Sequence, residues 1–365
     1  MRSRIIVGAS STIALLFVLA GLALPVTAAN PVGRIVEKQG EVALKRGKRS
    51  IKPVTKGAEL YSGDLLKPAQ RAIIVVRCVQ GKGNTWILSA GVESNVNNRC
   101  QIAKPSSVSL ITDDTRGGSD SSVPYVISPR KTRVLDSKPT IRWNAAPGAT
   151  SYTVIVRTSG FTWKVVGVKG TEVTYAGEPL KAKVEYSVVI EAEGCTSDKC
   201  SSEEDDSQSG TGFMLVGEAE AQQIRLDAQQ LAKQDLSNEA RALVLADFYA
   251  EQGLMSDAIQ TLEALAKQGS KTVAVYQMLG EFYERVELSL LAKNHYGKAL
   301  ELAKADRDVT AQAAAKAGLA RIFWGLGSKD TAIRNLKEAQ SAYRSLEDVE
   351  RVKELAVLLA KWQEN

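Results

Sequence analysis

Apolar and polar positions change their period along the chain. From Val32 to about Ala103 short apolar runs sit between turn residues. Ile35-Val36 precedes Gly40, Val42 to Leu44 follows it, and Leu65-Leu66 lies behind Gly63-Asp64. Then come Ile73-Ile74-Val75-Val76 and Trp86 to Leu88 before Gly91. Short β-rich runs bounded by Gly and Asp predict a small all-β domain over residues 30–103. Residues 104–138 are polar and rich in Ser and Gly, with Asp113-Asp114 and Gly117-Gly118, and read as a linker. Strands return over 139–216. Val184, Tyr186, Val188, Ile190 and Ala192 share one face, while Glu185, Ser187, Glu191 and Glu193 mostly face water. Regular strands with turns between them predict a β-sandwich. After Gly217 the period turns helical, and residues 217–365 read as an α-solenoid.

The helical part repeats. Leu245-Ala246, Tyr249, Gly253, Ala258, Leu262 and Leu265 form one copy. Leu279-Gly280, Tyr283, Ala292, Tyr296 and Ala299 form a second, 34 residues on. Leu319-Ala320, Phe323, Gly327, Ala332, Leu336 and Ala339 form a third, with extra residues around Ala303 to Gln312. Small residues at Ala246, Gly280 and Ala320, and at Ala258, Ala292 and Ala332, allow paired helices to approach closely. Leu262, Tyr296 and Leu336 fill the gap beside them. One helix is expected before the repeats (Glu218 to Gln234) and one after (about Leu346 to Trp362), the latter with a capping box of Ser345 and Asp348. This period and pattern resemble the tetratricopeptide repeat (TPR), although a turn Gly is missing at Glu287. The resemblance implies a concave face lined by the first helix of each pair. Its outward positions map to Leu243, Asp247 and Ala250, then Gln277, Glu281 and Glu284, then Ala317, Arg321 and Trp324. Asp247, Glu281 and Glu284 give an acidic wall, with Trp324 as an aromatic anchor beside Arg321. Such a groove suits a peptide carrying Lys or Arg and an apolar anchor. In the alternative reading Trp324 packs against the last helix near Leu355 or Leu359.

Two further resemblances concern the β segments. Gly33-Arg34-Ile35-Val36, Gly40-Glu41-Val42, Gly57 and the Gly63-Asp64-Leu65-Leu66 turn resemble the FecR-type domain of bacterial envelope proteins. Pro139-Thr140-Ile141-Arg142-Trp143, Gly148 to Val154, and Leu180 six before Tyr186 resemble a fibronectin type III domain. There the Trp is core and the Tyr makes a corner hydrogen bond.

The amino terminus carries Arg2 and Arg4, a short apolar core from Thr12 to Leu24, Pro25, and small residues to Ala29. This reads as a signal peptide over 1–29, cut after Ala28 or Ala29. The alternative is an uncleaved anchor built on the uncharged run Ile5 to Ala29. The expected location is periplasmic or secreted. Export changes the reading of Cys78, Cys100, Cys195 and Cys200. Four cysteines allow three pairings; by position the local pairs Cys78–Cys100 and Cys195–Cys200 are expected, with a zinc site as the sharper alternative.

With 365 residues and 44% hydrophobic content, the chain is long enough for two or three packed domains and is not disordered throughout. The net charge of +6 is uneven. Residues 30–122 hold 15 Lys/Arg against 8 Asp/Glu, residues 123–216 hold 11 of each, and residues 217–365 hold 19 against 22. Lys45, Arg46, Lys48, Arg49, Lys52 and Lys56 form one dense basic run. It is a candidate for anionic glycan or cell-wall polymer, against the alternative of a solvated hairpin. Nucleic acid is not an expected partner of an exported chain.

Catalytic patterns are missing. His295 lacks a nucleophile pattern, Ser128-Pro129-Arg130-Lys131 lacks its partner motifs, and no phosphate loop or dinucleotide fingerprint occurs. Glu203-Glu204-Asp205-Asp206 lacks calcium-loop spacing and reads as a solvated loop. No cofactor is expected. These features imply a non-enzymatic scaffold of the bacterial envelope that binds proteins through the TPR groove. The alternatives are an envelope sensor or regulator working through the FecR-like domain, a glycan-binding module, or a glycan-processing enzyme.

Overall fold

The structure is a computed structural model that describes residues 31–51, 54–69, 72–78, 85–88, 94–96, 117–205, 211–233, 236–346 and 349–364. The expected signal segment, Cys100, Lys52, Asp206 and Asp348 lie outside the described residues.

Among the described residues the first β module has two four-stranded sheets. One runs in the order β4 (Glu59–Leu60), β1 (Gly33–Gln39), β6 (Ile73–Cys78), β7 (Thr85–Leu88). The other runs β3 (Arg49–Ile51), β2 (Val42–Arg46), β5 (Leu65–Pro68), β8 (Ser94–Asn95). Ile35, Leu44, Leu60, Leu66, Ile74 and Val76 from both sheets form one core. Asp64, in the turn before β5, is fully buried. It accepts two hydrogen bonds from the Arg46 guanidinium at 2.9 Å each, and one from the Tyr61 amide at 2.8 Å. A buried carboxylate is tolerated only with such partners, so Arg46 is part of the structure.

The second β module begins earlier than its sequence pattern indicates. β9 (Val126–Ser128) and β10 (Thr132–Val134) lie inside the expected linker, yet both are sheet strands. The three-stranded sheet is β14 (Glu172–Thr174), β11 (Thr140–Trp143), β9. The five-stranded sheet is β10, β16 (Phe213–Leu215), β15 (Glu185–Glu193), β12 (Ser151–Thr158), β13 (Phe161–Val168). Trp143, Tyr152, Tyr186, Ile190 and Phe213 fill the shared core. The Tyr186 hydroxyl accepts the Lys181 amide at 2.8 Å. β9 and β10 escape periodicity because each has three residues and Pro129-Arg130-Lys131 separates them.

Eight helices follow among the described residues: α1 (Glu218–Ala232), α2 (Asn238–Glu251), α3 (Met255–Lys267), α4 (Val273–Arg285), α5 (Ser289–Ala305), α6 (Val309–Gly325), α7 (Lys329–Ser345) and α8 (Val349–Glu364). Pairs α2/α3, α4/α5 and α6/α7 pack as TPR-like hairpins, with α1 and α8 at the ends. Ala246, Ala258, Ala292, Ala320 and Ala332 are fully buried, as are Leu262, Tyr296 and Leu336. Small-against-large packing therefore holds at each repeat. Ser345 does not cap the last helix; it ends α7, and its hydroxyl donates to the Ala342 carbonyl. No helix among the described residues is long and apolar enough to cross a membrane.

Candidate functional site

The first helices α2, α4 and α6 carry the nine positions expected to face partners. Not one of the nine is exposed. Leu243, Gln277, Ala317 and Trp324 are buried, and the other five are half-buried. Trp324 is not an exposed anchor. Its ring stacks on Trp362 of α8 with centroids 4.5 Å apart, inside a cluster holding Leu355 and Leu359, and Lys329 lies over the ring. The terminal helix needs an apolar partner, and Trp324 supplies it.

The acidic wall also changes. Glu284 is neutralised by Arg321, which donates Nε–H at 2.6 Å and Nη2–H at 2.8 Å. The Tyr296 hydroxyl donates to the same carboxylate at 2.6 Å. This triad lies where Gly280 and Gly318 leave room for the Tyr296 ring: a Cβ on either would come within 2.6 Å of it. Burial and Glu284 together push the Tyr296 phenol far above its ordinary value. Gln277 donates to Glu281 at 3.0 Å. Asp247 and Glu281 remain as half-buried acids, and neither is without a partner.

The second β module grips the turns within the first two pairs and their second helices. Arg130, 2% exposed, donates to the Val286 carbonyl at 2.8 Å and pairs with Asp205 at 3.1 Å. Asp205 also accepts the Gly118 amide at 2.8 Å, so it is a buried anchor and not part of a solvated loop. Glu203 pairs with Arg157, and Glu204 completes a capping box with Ser201. The Ser289 and Leu290 amides donate to Gly117 and Gly118 carbonyls, and the Arg133 amide donates to the Gly253 carbonyl. Arg142 pairs with Glu263 of α3, which also accepts the Tyr283 hydroxyl. The missing turn glycine now has a physical explanation. Glu287 sits at φ +56°, a conformation costly for a side-chain residue, and Lys131 and Arg130 hold its carboxylate and carbonyl.

The first β module touches first helices and the turns leading into them. Lys56 pairs with Asp308, the N-cap of α6, at 2.9 Å. Arg34 donates to the Leu346 carbonyl at 3.1 Å, just before α8, and Arg351 of α8 donates to the Cys78 carbonyl at 3.3 Å. β7 lies against α2.

The basic run does not act as one patch. Lys45, Lys48 and Arg49 are exposed on the β2–β3 hairpin, whereas Arg46 and Lys56 serve the contacts above. Cys195 and Cys200 are joined, and Cys78 is disulfide-bonded. His295 stacks on Tyr283 with centroids 5.3 Å apart, and burial lowers its pKa. Among the described residues no His, Cys, Asp and Glu cluster could hold a metal ion. The sequence pattern does not mark the arginines that join the modules, because a polar position on a strand or in a turn reads as solvent-facing, and Asp205 reads as part of a solvated loop for the same reason.

The helical stack defines the class: a chain carrying TPR-like repeats. No protein-family model matches the chain, and no curated protein matches it. Among solved structures it is similar to the N-terminal domain of stress-induced protein-1 (STI-1) from C. elegans, at 18% identity and TM-score 0.29, covering 33% of this chain and 98% of that one. It is also similar to two MamA crystal structures. One has 20% identity, TM-score 0.28 and coverage of 42% and 96%; the other has 22%, 0.27 and coverage of 40% and 78%.

Proposed function

We propose that this is an exported, non-enzymatic scaffold of the bacterial envelope that holds proteins against its TPR-like stack. The carrying observation is that the stack already holds two folded β modules, each on its own set of turns and helices. In this reading the first module is FecR-like and the second fibronectin type III-like, a signal peptide directs export, and Cys78 pairs with Cys100. The Cys195–Cys200 disulfide supports an oxidising location. The partner is an envelope protein or peptide. A second reading, an envelope sensor working through the first module, draws on the exposed Lys45, Lys48 and Arg49, which suit an anionic glycan or cell-wall polymer.

Affinity capture from envelope extract with the intact chain tests the scaffold. Retention of a discrete protein, unaffected by Lys45→Glu/Lys48→Glu/Arg49→Glu, is the expected result. Turnover of cell-wall glycan by the purified chain, with no protein retained, would overturn it. Steeply salt-dependent binding to anionic polymer, abolished by that triple variant, would favour the sensor.

A further inference from the structure

The strand β6 buries apolar side chains on both faces. Ile74, Val76 and Cys78 enter the core of the first β module. Val75 points the other way and is 1% exposed, because it joins the cluster of solenoid side chains that includes Leu243, Leu279 and Tyr296. Strands covered on both faces read as unbroken apolar runs, as Ile73 to Val76 does. Arg34 on the neighbouring β1 is likewise buried, and its guanidinium reaches the Leu346 carbonyl. The outer face of sheet β4-β1-β6-β7 is therefore an interface with the helices. Lys56–Asp308, Arg351 to the Cys78 carbonyl and the β7–α2 contact extend it from the first repeat to the last helix. Charge agrees: the basic 30–122 block meets the acidic 217–365 block.

We propose that the first β module is an intramolecular ligand for the inner face of the solenoid, and that this face is closed to other proteins until the module lifts off. A competing partner presents the same chemistry, a basic surface with an apolar residue at its centre. The proposal rests on the scaffold reading only for its consequence. Docking itself is tested without any partner, so its failure and the scaffold's failure are separable.

The test uses the intact chain and a zero-length carbodiimide. Wild type should yield a Lys56–Asp308 cross-link, with Lys298–Glu301 within α5 as the internal control. Val75→Glu, which puts a charge into the dry interface, should lose the first cross-link and keep the second. Because that variant also burdens β6, Arg34→Gln serves as a milder one that lowers the cross-link yield. An octalysine peptide, a minimal basic ligand for the acidic helical block, should bind Val75→Glu about tenfold more tightly than wild type. A control cross-link without Lys56–Asp308 in wild type, or equal peptide affinity in both chains, would overturn the proposal.

Discussion

Trp324 lies flat on Trp362, with ring planes 2° from parallel, and this pair closes the end of the solenoid. Large aromatic truncations in a packed core cost about 3–5 kcal/mol. Trp324→Ala should lower stability by that order in urea unfolding. A loss below about 1 kcal/mol would show that the ring is not core.

Gly280 and Gly297 both sit inside helices but in opposite environments. A methyl at Gly280 meets the buried Tyr296 ring, whereas nothing lies within 4 Å of a Cβ at Gly297. Replacing helical Gly by Ala gains about 1 kcal/mol of propensity, and overpacking costs about 1–3 kcal/mol. Gly297→Ala should stabilise the chain and Gly280→Ala should destabilise it, both read as shifts in the urea midpoint.

Arg130 and Asp205 are 1% and 3% exposed as side chains. Removing one partner of such a pair leaves an uncompensated buried charge and costs about 3–5 kcal/mol. Arg130→Met should destabilise by that order, and Arg130→Met/Asp205→Leu should recover part of the loss. The residual loss reflects the Gly118 amide and the Val286 carbonyl left without partners. An unchanged midpoint in Arg130→Met would contradict the anchoring role.

Burial, with Asp136 nearby, pushes the Asp257 carboxyl up to about 6. The folded state therefore holds this proton at a pH where the unfolded chain has released it. Between about pH 4 and 6 the group makes stability fall as pH rises. Relative to wild type, Asp257→Asn should gain stability across that window and hold the gain at pH 7. A difference that stays flat across pH 4 to 7 would contradict this.

The repeats were legible because TPR-like packing writes itself as small residues against large ones at a fixed period, as at Gly280 and Tyr296. The two β cores were legible where strands alternate, as from Val184 to Ala192. Periodicity reports burial within an element. It does not report which charges pair between helices or what covers a strand's second face, so Glu284 and Arg321 looked open, and Val75 looked like ordinary core. Arg130 in its turn and Arg142 on strand β11 read as solvated charges until their partners are placed, and Lys56 read only as part of the basic run. Asp205 failed for the same reason.

The most direct test of the docked first module is amide hydrogen exchange along α2, at Leu346 and at Arg351 of α8, in wild type and in Val75→Glu. Wild type should show protection there approaching that of the solenoid core, and Val75→Glu should exchange about tenfold faster at these sites while β2 and β5 keep their protection. Equal exchange in the two chains along α2, at Leu346 and at Arg351 would contradict the docking of the first β module on the solenoid.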